Sequence, residues 1–324
     1  MIIESTFKPA WWLTNSHAQT MYPTLLRRLN APVTKLEQLE LPDGDFLNLA
    51  WAEGELESTA PLVILLHGLG GSLSSSYIPG LMQACNQHGW RSVLMHFRGS
   101  GDKPNRLLRA YHSGDTEDLN YFLQELAHRE PATKKAIIGV SLGGNVLLKW
   151  LGETGGQSFI ETAVAVSVPF DLRLVADRIH QGFSRVYEKY LLKKLQKLFV
   201  RKLENHKGDV PPALKEMDKW TCFWTFDEYV TAPLHGFKHV HAYYRTASSR
   251  RYLSAIQTPT LIIHALDDPF MTPKILPATS ELSPQIQLEL SPKGGHVGFV
   301  TGHIPGHPVY WLDVRIPTHL AHYL

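Results

Sequence analysis

The pentapeptide Gly139-Val140-Ser141-Leu142-Gly143 constrains the fold of this chain more than any other feature of the sequence. Apolar residues 136–139 lead into it and predict a buried strand, whereas residues 142–151 predict a helix. Ser141 is therefore expected on a sharp turn from strand to helix. At such a turn a Cβ on either flanking glycine would collide with neighbouring backbone, and the strained serine points its side chain outward, where a base can reach it.

Further short apolar runs predict a sheet around this turn. Two runs, at 36–41 and 46–51, flank a turn and predict an antiparallel hairpin. Four others predict buried parallel strands, at residues 62–66, 91–96, 136–139 and 163–168. Helical stretches such as residues 114–126 lie between them. This alternation predicts an α/β fold with a mostly parallel central sheet and helices on both faces.

The alternation stops after residue 168. Residues 171–255 are rich in aromatic and basic residues and show the spacing typical of helices. The strand pattern returns only at 260–264 and 286–290. A chain of 324 residues with 44% hydrophobic content can bury one full core. We therefore expect a single domain spanning 1–324, with 171–255 inserted as a helical cap.

Composition excludes several classes of protein. The 32 Lys and Arg residues nearly balance 30 Asp and Glu residues, which argues against nucleic-acid binding and favours a small-molecule partner. Cys85 and Cys222 are far apart and predict neither a disulfide framework nor a structural zinc site, as expected for a cytoplasmic protein. We expect neither a signal peptide nor an integral membrane segment, and the sequence carries no signal for an oligomeric state.

The glycine-rich residues 67–71, His-Gly-Leu-Gly-Gly, directly follow the predicted strand at 62–66. In folds with a serine on a strand-to-helix turn, the loop at this place supplies a backbone amide to an oxyanion hole. We expect the amides of Leu69 and Leu142 to point at the developing oxyanion. Such donors are each worth roughly 3 to 4 kcal/mol to the transition state.

An activated serine needs a histidine base and an orienting carboxylate, in the chain order Ser, Asp, His. His296, flanked by glycines after the last predicted strand, is the expected base. Asp267 and Asp268 compete for the acid, because adjacent residues leaving a strand point in different directions. We prefer Asp268, because the following proline fixes the turn. His67 and His264 end strands near the same place, and we expect them to lie behind the reacting groups.

Together these motifs resemble the YheT-like group of α/β hydrolases, which includes bacterial esterases, membrane-associated ABHD lipases of eukaryotes and yeast ethyl-ester synthases. The resemblance runs nearly end to end, and it rests on NSHAQT at 15–20, HGLGG, FRG at 97–99, YHSG at 111–114, GVSLGGN, DDP, GGHVGF and a closing Tyr310-Trp311. It implies the α/β-hydrolase fold and a triad of Ser141, Asp268 and His296. No hydrophobic anchor like that of the membrane-associated members is visible, so we expect no role in a bilayer.

The expected activity is that of a serine carboxylic-ester hydrolase. Ser141, deprotonated by His296, would attack a small or medium-chain ester, and water would then hydrolyse the acyl-enzyme. This chemistry needs neither a cofactor nor a metal. Two alternatives stay open: an alcohol O-acyltransferase that delivers the same acyl group to an alcohol, and a non-catalytic binding protein on this scaffold.

Other patterns in the sequence have simpler interpretations. Basic residues recur every fourth position in the predicted cap, at Lys189, Lys193, Lys197 and Arg201. We interpret them as a solvated helix face rather than a contact with an anionic membrane or an acyl carrier. Histidines at 235 and 239 and at 303 and 307 have ligand-like spacing without a carboxylate, which argues against a metal site. Aromatic residues between Phe226 and Phe237 could line an acyl pocket.

Overall fold

The computed structural model describes residues 1–101, 103–157, 159–206, 208 and 210–324. Its main sheet has nine strands in the order β1-β9-β8-β7-β6-β4-β5-β3-β2. The strands are β1 (Ile2–Glu4), β2 (Lys35–Glu40), β3 (Phe46–Ala52), β4 (Leu62–Leu66), β5 (Arg91–His96), β6 (Lys135–Val140), β7 (Thr162–Val166), β8 (Thr260–Ala265) and β9 (Ile286–Ser291). All neighbouring pairs are parallel except β2–β3 and β3–β5, which confirms the predicted fold class.

Ten α-helices accompany the sheet in the described residues. They are α1 (Ser16–Leu26), α2 (Ile78–Gln87), α3 (Glu117–Arg129), α4 (Leu142–Thr154), α5 (Leu172–Ile179), α6 (Arg185–Asn205), α7 (Phe223–Phe226), α8 (Ala232–Leu234), α9 (Val240–Ala247) and α10 (Leu312–Leu320). Two short strands, β10 (Val300–Thr301) and β11 (Val309–Tyr310), form a separate antiparallel pair. The helix predicted at 114–126 corresponds to α3, which begins and ends three residues later than predicted.

Side chains alternate between two apolar layers because successive residues of a strand point to opposite faces. On β4, Leu62, Ile64 and Leu66 pack with α3 and α4, whereas Val63 and Leu65 pack with α2 and α10. All five are fully buried, and each such side chain stabilises the fold by about 1.5–3 kcal/mol. Strands buried on both faces explain why the sequence shows continuous apolar runs.

Between β7 and β8 the chain forms α5 to α9. Leu192, Leu195 and Phe199 of α6 form an apolar cluster with residues from 214 to 230, and α5 packs against α9. Residues Ser249–Ala255 then pack against α4, a helix that covers the sheet, and Tyr252 contacts Gly152 of that helix. Within the described residues, no helix has both the length and the apolar character required to cross a membrane. The division of the chain into a domain and a cap at 171–255 stays a prediction.

Candidate active site

Ser141 lies on the turn between β6 and α4, with φ 53° and ψ −116°. This left-handed backbone is rare for a residue with a side chain. The turn is tight on both sides: a Cβ on Gly139 would lie 2.6 Å from the carbonyl oxygen of Gly143, and one on Gly143 would lie 2.5 Å from that of Leu66. Both flanking glycines are therefore required, and the serine projects from the carboxyl edge of the sheet.

Three predicted side chains meet at this edge. The Oγ atom of Ser141 lies 3.1 Å from Nε2 of His296, and Nδ1 of His296 lies 2.7 Å from Oδ2 of Asp268. The carboxyl side chain is 1% exposed and the imidazole 9%. When Nδ1–H donates a hydrogen bond to the carboxylate, Nε2 is unprotonated and can accept the proton of the serine hydroxyl.

The neighbouring Asp267 points elsewhere. Its Oδ1 atom accepts a hydrogen bond from the Gly295 amide at 3.0 Å, while Lys293 Nζ lies 3.9 Å from Oδ2. Burial raises the pKa of the Asp267 carboxyl. The adjacent carboxylates thus contact different parts of one loop: Asp268 holds the ring of His296, and Asp267 holds the backbone before it.

Helix α1 also holds this loop. Thr20 Oγ1 accepts a hydrogen bond from the His296 amide at 2.9 Å, and a Cβ on Gly295 would lie 2.5 Å from the Ser16 carbonyl oxygen. The side chain of Gln19 is fully buried. Its Nε2 atom donates to the backbone carbonyl oxygens of Leu13 and Val300, and its Oε1 atom accepts from the Val300 amide at 2.7 Å. The NSHAQT motif carries this signal in the sequence, but the motif alone did not predict a contact with the histidine loop.

Aromatic rings cover the other side of the histidine. Phe270 stacks on the His296 ring with centroids 4.0 Å apart and planes 11° apart. Tyr187 of α6 packs on Phe270, and its hydroxyl lies 3.0 Å from Nδ1 of His17. Burial raises the pKa of Tyr187 to about 12, so its hydroxyl stays protonated at neutral pH. These contacts, which the sequence patterns did not predict, join α1, α6 and the histidine.

Two tyrosine hydroxyls fix the glycine-rich loop. The Gly68 amide donates to Tyr77 at 2.9 Å, and the Gly70 amide donates to Tyr111 at 2.8 Å. Leu69 lies between these anchored amides and lines a pocket that also contains Ser141 and Leu142. Leu142 begins α4, where the first backbone amides lack intrahelical acceptors. The structure thus brings both predicted oxyanion donors to the serine.

His67 and His264 lie behind the site in neutral form. The Phe97 amide donates to Nε2 of His67, whose Nδ1 is 2.7 Å from the Gly68 carbonyl oxygen. Burial lowers the pKa of His67 to about 3 and that of His264 to about 4. Both histidines are fully buried, so neither is suited to exchange protons with a substrate near neutral pH.

An apolar pocket of about 110 Å³ opens at Ser141. Its wall consists mainly of residues from α5 to α7 and from the loop after β8, among them Leu172, Val175, Ile179, Leu195, Phe226 and Phe270. Asp227 also lines it: hydroxyls of Thr231 and Tyr244 donate to this carboxyl, and burial raises its pKa to about 6. Phe237 instead packs against His112 and Tyr243.

The histidine pairs with ligand-like spacing do not form metal clusters with other side chains among the described residues. His235 packs against the ring of His112. The one group of three close ligand atoms found in the described chain comprises His180, Glu188 and Cys222, whose imidazole and carboxylate are already hydrogen-bonded at 2.7 Å. All four predicted basic residues are exposed, and two of them, Lys197 and Arg201, also line a second cavity.

Comparisons with known proteins identify the family of this chain. "Putative esterase YheT" of Escherichia coli (strain K12) is 43% identical and covers 98% of this chain and 94% of its own. "Phospholipase ABHD3" of Mus musculus is 26% identical, over 95% and 77%. The solved structure of the Pyrococcus furiosus esterase Pf2001 shares the fold, with a TM-score of 0.57, 18% identity and coverage of 92% and 98%. A family model described as alpha/beta hydrolase fold matches residues 61–303. The chain therefore belongs to the α/β-hydrolase family, within its YheT-like group.

Proposed function

We propose that this protein is a serine carboxylic-ester hydrolase that forms an acyl-enzyme on Ser141. The observation that carries the proposal is the hydrogen-bonded path from Asp268 through His296 to Ser141, with separations of 2.7 and 3.1 Å, at the opening of an apolar pocket. A serine, a base and a buried acid in this order are the arrangement that nucleophilic acyl transfer requires. The names of the bacterial and mouse relatives, an esterase and a phospholipase, support ester chemistry.

In the proposed reaction, His296 removes the hydroxyl proton as Ser141 attacks the ester carbonyl. Asp268 stabilises the imidazolium that forms, and the amides of Leu69 and Leu142 bind the oxyanion. His296 then gives the proton to the departing alcohol. Water, deprotonated by the same histidine, attacks the acyl-enzyme and releases the carboxylic acid. The chain's own groups perform each of these steps.

The pocket supports a preference for small or medium-chain acyl groups. Its volume is about 110 Å³, and leucine, valine and phenylalanine side chains dominate its wall. Much of this wall comes from residues 171–255, which we propose to act as a cap that keeps water away from the acyl chain. A longer chain would have to displace side chains of α5 or α6, which costs packing energy.

Substitution of the serine tests the proposal. Ser141→Ala should lower kcat for 4-nitrophenyl butyrate by about 10⁴-fold or more, because the nucleophile is lost. Labelling by a fluorophosphonate probe should disappear in the same variant. The matched control is Ser254→Ala, at an exposed serine away from the pocket, which should retain both activities. Hydrolysis by Ser141→Ala at the wild-type rate would refute the proposal.

Product analysis tests the final step. With ethanol added to the reaction, the proposed hydrolase should release mainly butyric acid, since water reaches the acyl-enzyme. A predominance of ethyl butyrate at equal consumption of the substrate would instead assign the chain to alcohol O-acyltransferases, while leaving the acyl-enzyme on Ser141 intact.

A further inference from the structure

Lys202, in the last turn of α6, is a buried cation with only 4% of its surface exposed. Its ammonium donates to the side-chain oxygen of Asn105 and to the carbonyl oxygens of Leu107 and Arg109. All three acceptors are neutral, and no carboxylate forms an ion pair with Lys202 within the described residues. Burial lowers the pKa of this lysine to about 7. A buried charge that lacks an opposite charge is costly, so this position favours an anion nearby.

The closest relevant carboxylate is already engaged. Asp45 attracts Lys202 electrostatically, but its Oδ2 atom accepts hydrogen bonds from Arg98 at 3.1 Å and from the side chain of Asn105. Arg98 in turn repels the lysine. Among the described residues, Lys202 therefore has no ion-pair partner that belongs to it alone.

A cavity of about 240 Å³ lies directly beside this lysine. Lys194, Lys197, Arg201 and Lys202 line one side of it, and none of the described lining residues is acidic. The opposite side is formed by loops rich in glycine, at residues 70–71 and 99–101. Glycines leave backbone groups open to a ligand, and four basic side chains around one cavity produce a strongly positive potential.

This basic cavity adjoins the proposed oxyanion loop. Leu69 lines the apolar pocket at Ser141, whereas Gly70 and Gly71 line the basic cavity. Lys194 crosses the loop, and its Nζ atom lies 3.3 Å from the Gly70 carbonyl oxygen. The two cavities thus meet along one tight turn, in which the Gly71 amide donates to the Gly68 carbonyl oxygen. A ligand in the cavity would therefore lie within reach of an ester at Ser141.

We propose that the basic cavity is a phosphoryl-binding site, in which Lys194 and Lys197, beside the buried Lys202, hold a phosphate group that is either free or carried by the ester at Ser141. A phosphate has about two negative charges and three strong acceptor oxygens, which suits several ammonium groups at once. It would also supply the charge that Lys202 lacks. The carried form rests on the proposed function, because the apolar pocket then takes the acyl chain and the alcohol part faces the cavity.

Binding of inorganic phosphate to the full chain tests the site itself. The double variant Lys194→Ala/Lys197→Ala should weaken phosphate binding, measured by calorimetry, at least about tenfold. Lys189→Ala/Lys193→Ala removes the same charge from the same helix outside the cavity and should bind as the wild type does. Equal weakening in both double variants, or none in the first, would overturn the proposal. Unfolding temperatures measured alongside establish that each variant is folded.

Matched esters distinguish the two sources of the phosphate. If the ester carries it, kcat/KM for 1-butyrylglycerol 3-phosphate should exceed that for 1-butyrylglycerol about tenfold, and Lys194→Ala/Lys197→Ala should abolish this ratio while the control retains it. Phosphate binding without such a ratio supports the site with the free anion as its ligand. If neither ester is hydrolysed but phosphate binding depends on Lys194 and Lys197, the proposed function fails and the site stands.

Discussion

At the scale of single residues, the two carboxylates after β8 have separate tasks, and one substitution each distinguishes them. Asp268→Asn leaves the ring of His296 without its charged partner and favours the wrong tautomer, so kcat should fall by about 10⁴-fold. Asp267→Asn keeps an acceptor for the Gly295 amide and should change kcat less than tenfold. Steady-state kinetics on one ester measures both. A larger loss in the Asp267 variant would reverse the assignment of the acid.

Thr20 acts on the reaction only through the backbone of His296, which makes it a positioning residue. Thr20→Val removes the acceptor for the His296 amide while keeping the side-chain shape. A loop shifted by a fraction of an ångström should lower kcat about tenfold and leave KM nearly unchanged. Thr20→Ser restores the hydroxyl and should recover the activity. A variant that lost stability but kept its kcat would show a purely structural role.

The sequence identified Ser141, Asp268 and His296 because each follows a predicted strand within a recognisable motif. Thr20 and Gln19 were missed for a physical reason. Their hydrogen bonds connect α1 to His296 and Val300, which are separated from it in the sequence by 276 and 281 positions. Local patterns contain no information on such distant pairs. The contact between Phe270 and Tyr187 likewise depends on how α6 packs over the sheet.

At the scale of elements, the glycine-rich loop after β4 depends on the two tyrosines that accept its amides. Tyr111→Phe leaves the half-buried Gly70 amide without its acceptor, which costs about 1 kcal/mol and frees the loop to move. We expect kcat to fall about tenfold. The Leu69 amide would then be less well placed for the oxyanion.

The affinity for a short alkyl boronic acid reports on this effect, since the compound forms a tetrahedral adduct with an activated serine. Tyr111→Phe should weaken its inhibition by about the same factor as kcat, because both depend on the oxyanion donors. Tyr190→Phe, at an exposed tyrosine of α6, is the control and should alter neither. Unchanged boronate affinity in Tyr111→Phe would limit this tyrosine to packing.

Strands were easier to predict than the segments around them. Strands β4 to β9 are buried, so their apolar runs are visible in the sequence. Strand β1 was missed because it has three residues at the edge of the sheet and only one of them is partly buried. The π-helical turn at Asp227–Thr231 is set by packing within the residues between β7 and β8, not by local propensity.

At the scale of the whole molecule, the order of the parallel strands explains why the sequence predicted so much of the site. Strands β4, β6, β8 and β9 all end at one edge of the sheet, so the loops that follow them meet there. Motifs placed after those strands must therefore converge. The shape of the pocket cannot be predicted in this way. It depends on side chains from α5 to α7, whose packing is determined by contacts between residues far apart in the sequence.

Buried histidines should make the stability of the whole fold sensitive to acid. Burial lowers the pKa of six histidines: His17, His67, His112, His235, His264 and His319. In the unfolded chain these histidines have a pKa near 6.5, so below that pH the unfolded state binds more protons than the folded state does. Their contribution to the free energy of unfolding is therefore complete above pH 6.5 and is lost as the pH falls. Burial acts in the opposite sense on four acids, since it raises the pKa of Asp115 to about 7, that of Asp227 to about 6, and those of Asp267 and Asp313.

Because the six histidines outnumber the four acids, the unfolding temperature should fall as the pH is lowered from 6.5 to 4.5, with each histidine contributing at most about 1.4 kcal/mol per pH unit. Thermal unfolding at constant ionic strength measures the slope. His264→Gln removes one of the buried groups and should flatten the dependence, whereas His303→Gln, at an exposed histidine, should leave it as in the wild type. An unfolding temperature that rises on acidification would mean that the buried carboxyls dominate instead.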